Sequence, residues 1–503
     1  SPLMRRLMNK PRVTYVVLFL VGAAVLALVS GDRMNKQSSD PHFVLQADAW
    51  LNGNLHIEPP WKGDDPAKVE RVLLKDGREV RGRYLQTRAW LVSNPWFETS
   101  IREPSAKRKS LPMTRLFRTT AGEDIPASDI QRSLGSKNYV SFPPTPALLM
   151  LPSTIIHGRR ANDVVPTLLI AALIFPLCFS TLRRFASAGL TNRSDSENLW
   201  LSVQLSFGTV LFFVSVSGKV WFTAHVCGVA LALAYANFSV GARRPILAGL
   251  MLGLATLTRT PMAFMFPFFA LEAIRSECGN DWLKACRSDF AGQCKTHGKA
   301  IAKKWLYFAA PVVAIAIVAA INNYLRFDSA TEFGHSYLAV RQQGMIETYG
   351  LFDYEYLRRN LSVAFAMLPG FSSEAPYVHI SPHGMALWFT TPLFISLLWP
   401  KLDSGRAVHR ALWITVACIA VPILFYQNSG WAQFGYRFSL DYTAFLILLL
   451  AVSRRHLGHF MKFLIVVSVL INLFGALTFG RDYKYYDGGD YSVVVPHHPH
   501  RTN

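Results

Sequence analysis

The sequence predicts an all-α polytopic membrane protein with about eleven transmembrane helices and one large loop on the outer side of the membrane. Apolar residues make up 51% of the 503 residues. They fall in blocks of about 16 to 20, which is the length that a helix needs to cross a bilayer. The short connectors expected on one side of the membrane are all basic, as cytoplasmic loops are. These observations exclude a soluble multidomain protein.

The apolar blocks define the candidate spans. They cover residues 13 to 30, 164 to 182, 199 to 216, 221 to 239, 245 to 258, 261 to 274, 305 to 322, 384 to 400, 411 to 427, 438 to 453 and 460 to 479. The chain then divides into a cytoplasmic N-terminus with the first helix (1–30), a large extracytoplasmic loop (31–163), a transmembrane bundle (164–479) and an extracytoplasmic tail (480–503). Two of the blocks are short, and we interpret Arg259-Thr260-Pro261 between them as a tight outer turn.

The basic connectors set the orientation. Those expected inside contain Arg183 and Arg184, Arg243 and Arg244, the segment from Arg275 to Lys304, the segment from Lys401 to Arg410, and Arg454, Arg455 and Lys462. Arg5, Arg6 and Lys10 precede the first apolar block, as in a signal peptide, but no A-x-A-like cleavage site follows. We therefore expect a retained first helix with a cytoplasmic N-terminus.

The net charge indicates an anionic partner, and the cysteines and tail histidines indicate neither disulfides nor a metal site. A formal net charge of +20 indicates anionic lipid head groups or a phosphorylated substrate, and we expect no nucleic acid. The long first loop has no cysteine, so a disulfide framework is not expected. The eight-residue steps between Cys278, Cys286 and Cys294, with His297 after them, match no zinc spacing and indicate reduced cytosolic thiols. The tail histidines are interpreted as surface residues: His497, His498 and His500.

The first outer loop should contain a small β element and helices at the membrane interface. Val69 to Leu85 alternates around Asp76-Gly77, which predicts a β-hairpin. The loop ends in Phe142-Pro143-Pro144-Thr145-Pro146 and an apolar stretch to Ile156. This stretch is too short and too proline-rich to span comfortably, so we expect a helix along the outer surface of the membrane.

Three outer segments combine ionisable and aromatic residues close to the membrane. The first is Ser39-Asp40-Pro41-His42-Phe43, followed by Gln46, Asp48 and Trp50. Residues 42 to 51 contain no helix breaker and should be helical. Asp40 then stands just before the first turn, so it is either a helix N-cap or a functional carboxylate.

The second segment runs from Gly218 to His225 and the third from Gln433 to Phe438. Lys219, Trp221 and His225 lie where a span meets the outer surface, which is an ordinary place for a Trp and a lone His. Arg437 could pair locally with Asp441 at i, i+4, or it could face a substrate. Further outer-side residues extend the set: Lys137, Tyr139, Arg259, Asn323 and Arg326.

One carboxylate among several outer cations suits attack by a hydroxyl on a sugar whose leaving group is a lipid phosphate. The carboxylate takes the proton of the acceptor as a general base. Arg and Lys neutralise the charge that develops on the departing phosphate. A general acid is not needed, because a phosphodiester oxygen leaves without protonation.

The chain resembles the GT-C glycosyltransferases, a superfamily that includes protein O-mannosyltransferases and lipid A aminoarabinose transferases. The resemblance covers most of the chain. It rests on the aspartate after the first helix, the large first loop, and the Pro-Pro element that closes the loop. The segments at 139–146, 220–225, 257–261 and 433–438 are also similar to those of uncharacterised bacterial membrane proteins of this type.

The resemblance implies a GT-C-like fold and an inverting transferase in the bacterial inner membrane, with an extracytoplasmic active site. It assigns the general base to Asp40 and places the stretch after Phe142 along the site. The superfamily often has paired acidic residues, whereas Asp40 is followed here by Pro41 and His42. The base and the need for a divalent cation therefore stay open, with Asp48 as the alternative base. Acceptor recognition would fall to the first loop.

The sequence thus predicts a polyprenyl-phosphate sugar donor, a glycan, lipid or protein acceptor, and contact with membrane lipids. The catalytic candidates are Asp40 and Asp48. The substrate-binding candidates are His42, Lys137, Tyr139, Lys219, Trp221, His225, Arg259, Arg326, Gln433 and Arg437. A lipid or glycan flippase or transporter is the main alternative, and it would place ionisable residues near the bilayer midplane. A scaffold that binds partners through the first loop is a third.

Overall fold

The computed structural model describes residues 11–61, 66–85, 116–338, 346, 349–402, 405–453 and 455–486. The tail histidines lie outside these residues. The N-terminal part comprises α1 (Pro11–Ser30), α2 (His42–Leu51), β1 (Ala67–Leu74), β2 (Glu79–Tyr84), β3 (Leu116–Thr119), β4 (Asp124–Pro126), β5 (Ile130–Tyr139) and α3 (Thr145–His157).

The rest of the described chain is mostly helical. Its elements are α4 (Val164–Ser187), α5 (Asp195–Phe207), α6 (Leu211–Ser215), α7 (Val220–Ser239), α8 (Pro245–Thr256), α9 (Phe266–Cys278), α10 (Trp282–Ser288), α11 (Phe290–Phe327), α12 (Leu357–Phe365), β6 (Gly370–Phe371), β7 (Val378–His379), α13 (Leu387–Thr390), α14 (Arg406–Leu424), α15 (Leu440–Val452) and α16 (His459–Thr478).

Six helices within the described residues are long and apolar enough to cross a membrane, which indicates an integral membrane protein. They are Arg12–Asn35, Val164–Ser187, Val220–Ala242, Phe290–Phe327, Arg406–Leu424 and His459–Thr478. The predicted number of about eleven spans is not confirmed. The break expected around Arg259 is present, because α8 ends at Thr256 and a 3₁₀ helix follows at Thr260–Met265.

Two of the predicted spans are not continuous helices. In the block at 199–216, α5 ends at Phe207 and α6 starts at Leu211, with the poor helix former Gly208 between them. The prediction of a helix over 384–400 was wrong, because α13 has four residues and a 3₁₀ helix begins at Pro392. Pro392 has no N–H to donate and disfavours the helical conformation of Thr391 before it, which is extended (φ −135°).

The first loop folds into a five-stranded antiparallel sheet in the order β4-β3-β2-β1-β5. Its β1 and β2 form the predicted hairpin, and Gly77 takes the positive φ of +87° that this turn requires. The sheet docks on the end of α11, where Arg81 pairs with Asp328 at 2.8 Å and donates to the Arg326 carbonyl. The first loop is therefore attached to the transmembrane bundle.

The two helices predicted to flank the sheet in sequence are both present. Helix α2 covers His42–Leu51, as predicted, and α3 covers the apolar stretch that follows the proline run. The two helices pack against each other through Phe43, Val44, Ala147 and Met150. Together with Val220 and Ala224 at the N-terminal end of α7, this pair forms a separate small core.

Helix α11 is the longest helix and has 38 residues, so it extends about 57 Å. It packs mainly on α8, where Gly249 and Gly253 let the two backbones approach closely. A side chain at Gly249 would overlap the Phe308 carbonyl, which is the usual role of a GxxxG pair between membrane helices. Most of the remaining surface of α11 faces away from the protein.

Candidate functional site

Asp40 lies in the turn between the 3₁₀ extension of α1 and the start of α2, and only 6% of its surface is exposed. Its carbonyl accepts a hydrogen bond from the Val220 N–H (3.1 Å), and its own N–H donates to Ser38 Oγ (3.2 Å). The backbone of Asp40 is thereby fixed against the first turn of α7. This contact is what positions the carboxylate.

The Asp40 carboxylate has few partners. Ser39 Oγ donates to it at 2.5 Å, and Lys219 Nζ lies 3.7 Å away. The N-cap interpretation was wrong, because Pro41 occupies the N-cap position of α2 and no side chain caps the helix. The N–H groups of Val44 and Leu45 donate to the Pro41 carbonyl instead. The carboxylate therefore keeps free acceptor capacity.

A second carboxylate, that of Asp163, lies beside Asp40. It accepts from the N–H (2.8 Å) and the Oγ (2.6 Å) of Ser38, and it is 2% exposed. Burial, reinforced by the negative charge of Asp40, raises the pKa of Asp163 to about 6. Since Ser38 also bonds the Asp40 N–H, the two acidic residues belong to one network. Sequence reasoning missed Asp163, which is 123 positions away in the chain.

A cavity of about 280 Å³ adjoins this network at the C-terminal ends of α1 and α16 and the N-terminal end of α7. It is lined by both partners of the Asp40 carboxylate, Ser39 and Lys219, and by three further cations: Arg33, Lys36 and Arg481. Asp32 is the one carboxylate among its described lining residues. The cavity therefore has a positive balance and suits an anionic group.

The two arginines of this cavity also join the helix ends. Arg33 Nη2 donates to the Phe479 carbonyl (2.6 Å), and Arg481 donates to the carbonyls of Val29 (2.9 Å) and Ser30 (2.5 Å). Sequence reasoning missed both arginines. Their position directly after two apolar blocks on the predicted outer side was the available signal.

Deeper in the bundle, Asp441 forms a buried ion pair with Arg259. Arg259 donates from Nε to Oδ1 (2.5 Å) and from Nη2 to Oδ2 (2.8 Å), and Asp441 is 1% exposed. His225 is fully buried beside them, with Nδ1 3.4 Å from Asp441 Oδ1. Both oxygens of Asp441 thus have charged partners. This pair joins the 3₁₀ turn after α8 to α15.

The local pairing of Arg437 with Asp441 that the sequence suggested was wrong. The Arg437 Nε donates to the Gly430 carbonyl (2.8 Å), and the guanidinium lies over the rings of Phe222 and Phe438. Gln433 holds the same loop, since its Oε1 accepts from the Arg437 N–H and its Nε2 donates to the Ser429 carbonyl. Gln433 is fully buried and its amide groups are engaged in protein contacts.

Residues of helix α7 contact both Asp40 and Asp441. Lys219 at its N-cap faces Asp40, and His225 faces Asp441 six residues later, which is about 9 Å further along the helix. Between them, Trp221 contacts the His42 ring with centroids 6.5 Å apart, and Phe222 both lines the cavity and lies under Arg437. Seven candidates named from the sequence therefore lie on or around the N-terminal half of this helix: Asp40, His42, Lys219, Trp221, His225, Arg259 and Arg437.

Four candidates lie elsewhere. Asp48 is near the far end of α2 from Asp40. Tyr139 is buried between the rings of His56 and Phe327, and Arg326 donates to the Val140 carbonyl at 2.9 Å. Lys137 is exposed on β5. Lys137 and Tyr139 thus lie on β5, and Arg326 lies near the end of α11 against the residue that follows this strand, apart from the Asp40 network.

His335 was not selected from the sequence. Burial, followed by the positive charge of Arg259, lowers its pKa to about 4, so the ring is neutral at pH 7. Within the described ranges, no group of three or more His, Cys, Asp and Glu side chains could hold a metal ion.

No protein-family model matches the sequence, and no curated protein matches it. The structure is similar to that of the Archaeoglobus fulgidus oligosaccharyltransferase in the apo form, with a TM-score of 0.41 and 13% identity over 94% of this chain. It is also similar to oligosaccharyltransferase AglB of the same organism in complex with an inhibitory peptide and a dolichol-phosphate, with a TM-score of 0.37 and 10% identity over 95% of this chain. In both comparisons the matched part is 56% of the other protein's length.

Proposed function

We propose that this protein is a glycosyltransferase that moves a sugar from a polyprenyl-phosphate donor to a hydroxyl acceptor at the outer face of the bacterial inner membrane. Asp40 would be the general base. The observation that carries the proposal is the Asp40 carboxylate, which is buried, little occupied by hydrogen bonds, and joined through Ser39 and Lys219 to a cavity lined by four cations.

The cavity fits the phosphate end of such a donor. Its cations come from the outer ends of α1, α7 and α16, which are membrane-spanning helices. A lipid phosphate in the outer leaflet lies at the same level as these ends, so the polyprenyl chain can stay in the bilayer. Lys219 is 39% exposed and can turn from Asp40 towards the phosphate.

The reaction would proceed in one displacement. The Asp40 carboxylate accepts the proton of the acceptor hydroxyl as the hydroxyl oxygen bonds to the anomeric carbon. The bond between that carbon and the phosphate oxygen breaks, and its electron pair stays on the phosphate, whose added charge is stabilised by Lys219 and the neighbouring arginines. The products are the inverted glycoside, the lipid phosphate and protonated Asp40, which returns its proton to water.

The test is transfer by purified protein from polyprenyl-phosphate sugars to an envelope extract, with three forms of the chain. These are the wild type, Asp40→Asn and Asp129→Asn, which makes the same chemical change at an exposed carboxylate of the first loop. We expect Asp129→Asn to match the wild type and Asp40→Asn to lose transfer while donor lipid still binds. Equal transfer by all three would remove Asp40 as the base and favour Asp48.

A lipid or glycan flippase is the second candidate, and one observation favours it. The ion pair of Arg259 and Asp441, with His225, is buried inside the bundle, where ionisable residues often mark a transport path. Movement of a labelled polyprenyl-phosphate sugar across proteoliposomes, without transfer to any acceptor, would support this candidate. Transfer that needs Asp40 would contradict it.

A further inference from the structure

The first loop contains a second, larger cavity of about 570 Å³, separate from the Asp40 network. One wall is the segment from His56 to Trp61, and the other is the end of β5 with the start of β1. The volume lies in the range of small-molecule sites in proteins. Lys137, a substrate-binding candidate from the sequence, lines this cavity, whereas the general base and the phosphate site proposed above do not use it.

Its walls are held in place by specific hydrogen bonds. The Ile57 N–H donates to the Asn138 carbonyl (2.8 Å), so the segment lies along the outer edge of β5. From the other side, Arg159 donates to the carbonyls of Glu58 and Pro60, both at 2.6 Å. The cavity is therefore a built feature of the loop, with its shape set before any ligand arrives.

The lining combines one large aromatic ring with a few polar groups. Trp61 is half-buried and lines the cavity, and it packs against a small core formed by Leu45, Ala49, Ile57 and Val140. An indole ring in such a wall can pack on the C–H face of a sugar ring, and Asn138 and Ser136 on the opposite wall can bond sugar hydroxyls. A Trp with amide and hydroxyl groups opposite is the chemistry of saccharide binding.

Among the residues that the structure describes, the charges that face the cavity leave one cation without a charged partner. His56 Nε2 is 2.8 Å from Glu58 Oε1, and Lys68 is paired with Glu70. Lys137, in contrast, has no ion-pair or hydrogen-bond partner among the residues that the structure describes. A ligand with a negative group near Lys137 would complete the arrangement.

We propose that this cavity binds an anionic saccharide, such as a glycan chain that carries uronic acid groups, and that this saccharide is the acceptor. The acceptor role rests on the proposed function. Trp61 packs against a core that includes Leu45 and Ala49 of α2, and α2 begins two residues after Asp40 and is about 15 Å long over its ten residues. An extended chain held at Trp61 can thus present another of its units at Asp40.

The experiment measures binding to the full-length protein in lipid nanodiscs by isothermal titration. The ligands are trigalacturonate, the neutral maltotriose and an acidic hexapeptide. The variants are Trp61→Ala, Lys137→Gln and, as a charge-matched control, Lys75→Gln at the exposed β1–β2 turn. No donor lipid is present, so the result does not depend on catalysis.

We expect trigalacturonate to bind the wild type and Lys75→Gln equally. Lys137→Gln should weaken its binding roughly tenfold, as expected for one charge-assisted hydrogen bond, and Trp61→Ala about thirtyfold. Equal binding to all four forms would overturn the site. Equal binding of maltotriose would overturn the role of Lys137, and tighter binding of the peptide would overturn the saccharide class.

The two experiments test the proposed function and the saccharide site separately. If trigalacturonate binds as expected but transfer does not need Asp40, the saccharide site stands and the catalytic proposal falls. If transfer needs Asp40 while trigalacturonate does not bind, the transferase stands and its acceptor is bound elsewhere.

Discussion

Two aspartates that contact the N-terminal half of α7 have very different surroundings. Asp40 accepts one hydrogen bond from Ser39, and Lys219 stays 3.7 Å away and partly in solvent. Asp441 has both oxygens bonded to Arg259 and the His225 ring beside it, with almost no exposure. Both residues are buried, so burial alone does not distinguish them.

The difference lies in the free acceptor capacity of each carboxylate. A carboxylate that must take a proton needs an unoccupied lone pair and a route for the substrate hydroxyl. Asp40 meets the first condition, and the nearby cavity provides space for the second. Asp441 meets neither, so we assign Asp441 to holding the bundle together and Asp40 to chemistry.

The strongest test of this difference between Asp40 and Asp441 is to neutralise Asp40. Asp40→Asn should lower the transfer rate by about 10²- to 10⁴-fold, because the amide cannot accept the proton of the acceptor. The melting temperature in detergent should change little, since the variant keeps the backbone bonds of Asp40. A large fall in melting temperature would show that Asp40 is structural, as Asp441 is.

The second way is to remove one partner of the buried pair. Arg259→Met or Asp441→Leu alone should lower the free energy of unfolding by about 3 to 5 kcal/mol, because each leaves a buried charge unpaired. The double variant should recover a large part of this loss, since it leaves neither charge. Thermal unfolding of all three proteins in one detergent is the measurement. Additive losses would contradict the pairing.

The third prediction concerns Asp163, which shares Ser38 with Asp40. Its pKa in the folded protein, about 6, lies above that of an unfolded Asp, so folding favours the protonated form. This stabilisation is complete below about pH 4 and is lost as the pH rises to about 6. From pH 4 to pH 6, the free energy of unfolding of the wild type should therefore fall by roughly 2 to 4 kcal/mol relative to that of Asp163→Asn.

Parallel unfolding curves of wild type and Asp163→Asn from pH 4 to 7 check this expectation. A constant difference between them would contradict the raised pKa of Asp163.

The smallest expected effect is at Lys219. Lys219→Gln should raise the KM for the donor about tenfold, because one cation of the phosphate cavity is lost. Lys219→Arg should restore most of the binding, and Lys75→Gln should have no effect. A fall in kcat with an unchanged KM would assign Lys219 to the orientation of Asp40 and not to the donor.

Sequence patterns predicted the features that depend on neighbouring residues. Helix α2 has the predicted bounds because nothing between His42 and Leu51 breaks a helix, and the β1–β2 hairpin follows from Asp76-Gly77. The place of Asp40 before α2 was also predicted. Pro392 indicated a helix break at Thr391-Pro392, but the span over 384–400 was predicted from the apolar composition of the block.

The partners inside the candidate site were not predictable in the same way. Arg259 and Asp441 are 182 positions apart, and Ser38 and Asp163 are 125 positions apart. The i, i+4 rule pairs Arg437 with Asp441. In the structure, Arg259 instead forms a bidentate ion pair with Asp441, which is stronger than an i, i+4 contact. Such choices depend on how helices pack, which one sequence does not reveal.

The length of α11 has a consequence for the bilayer itself. The part from Trp305 to Phe327 spans about 35 Å, slightly more than an average hydrocarbon core, and its end is fixed to the sheet of the first loop. A hydrophobic mismatch would be relieved by tilting this helix. The tilt would move the sheet, with its saccharide cavity, relative to Asp40. Acyl-chain length thus becomes a variable that sets the spacing between the two sites.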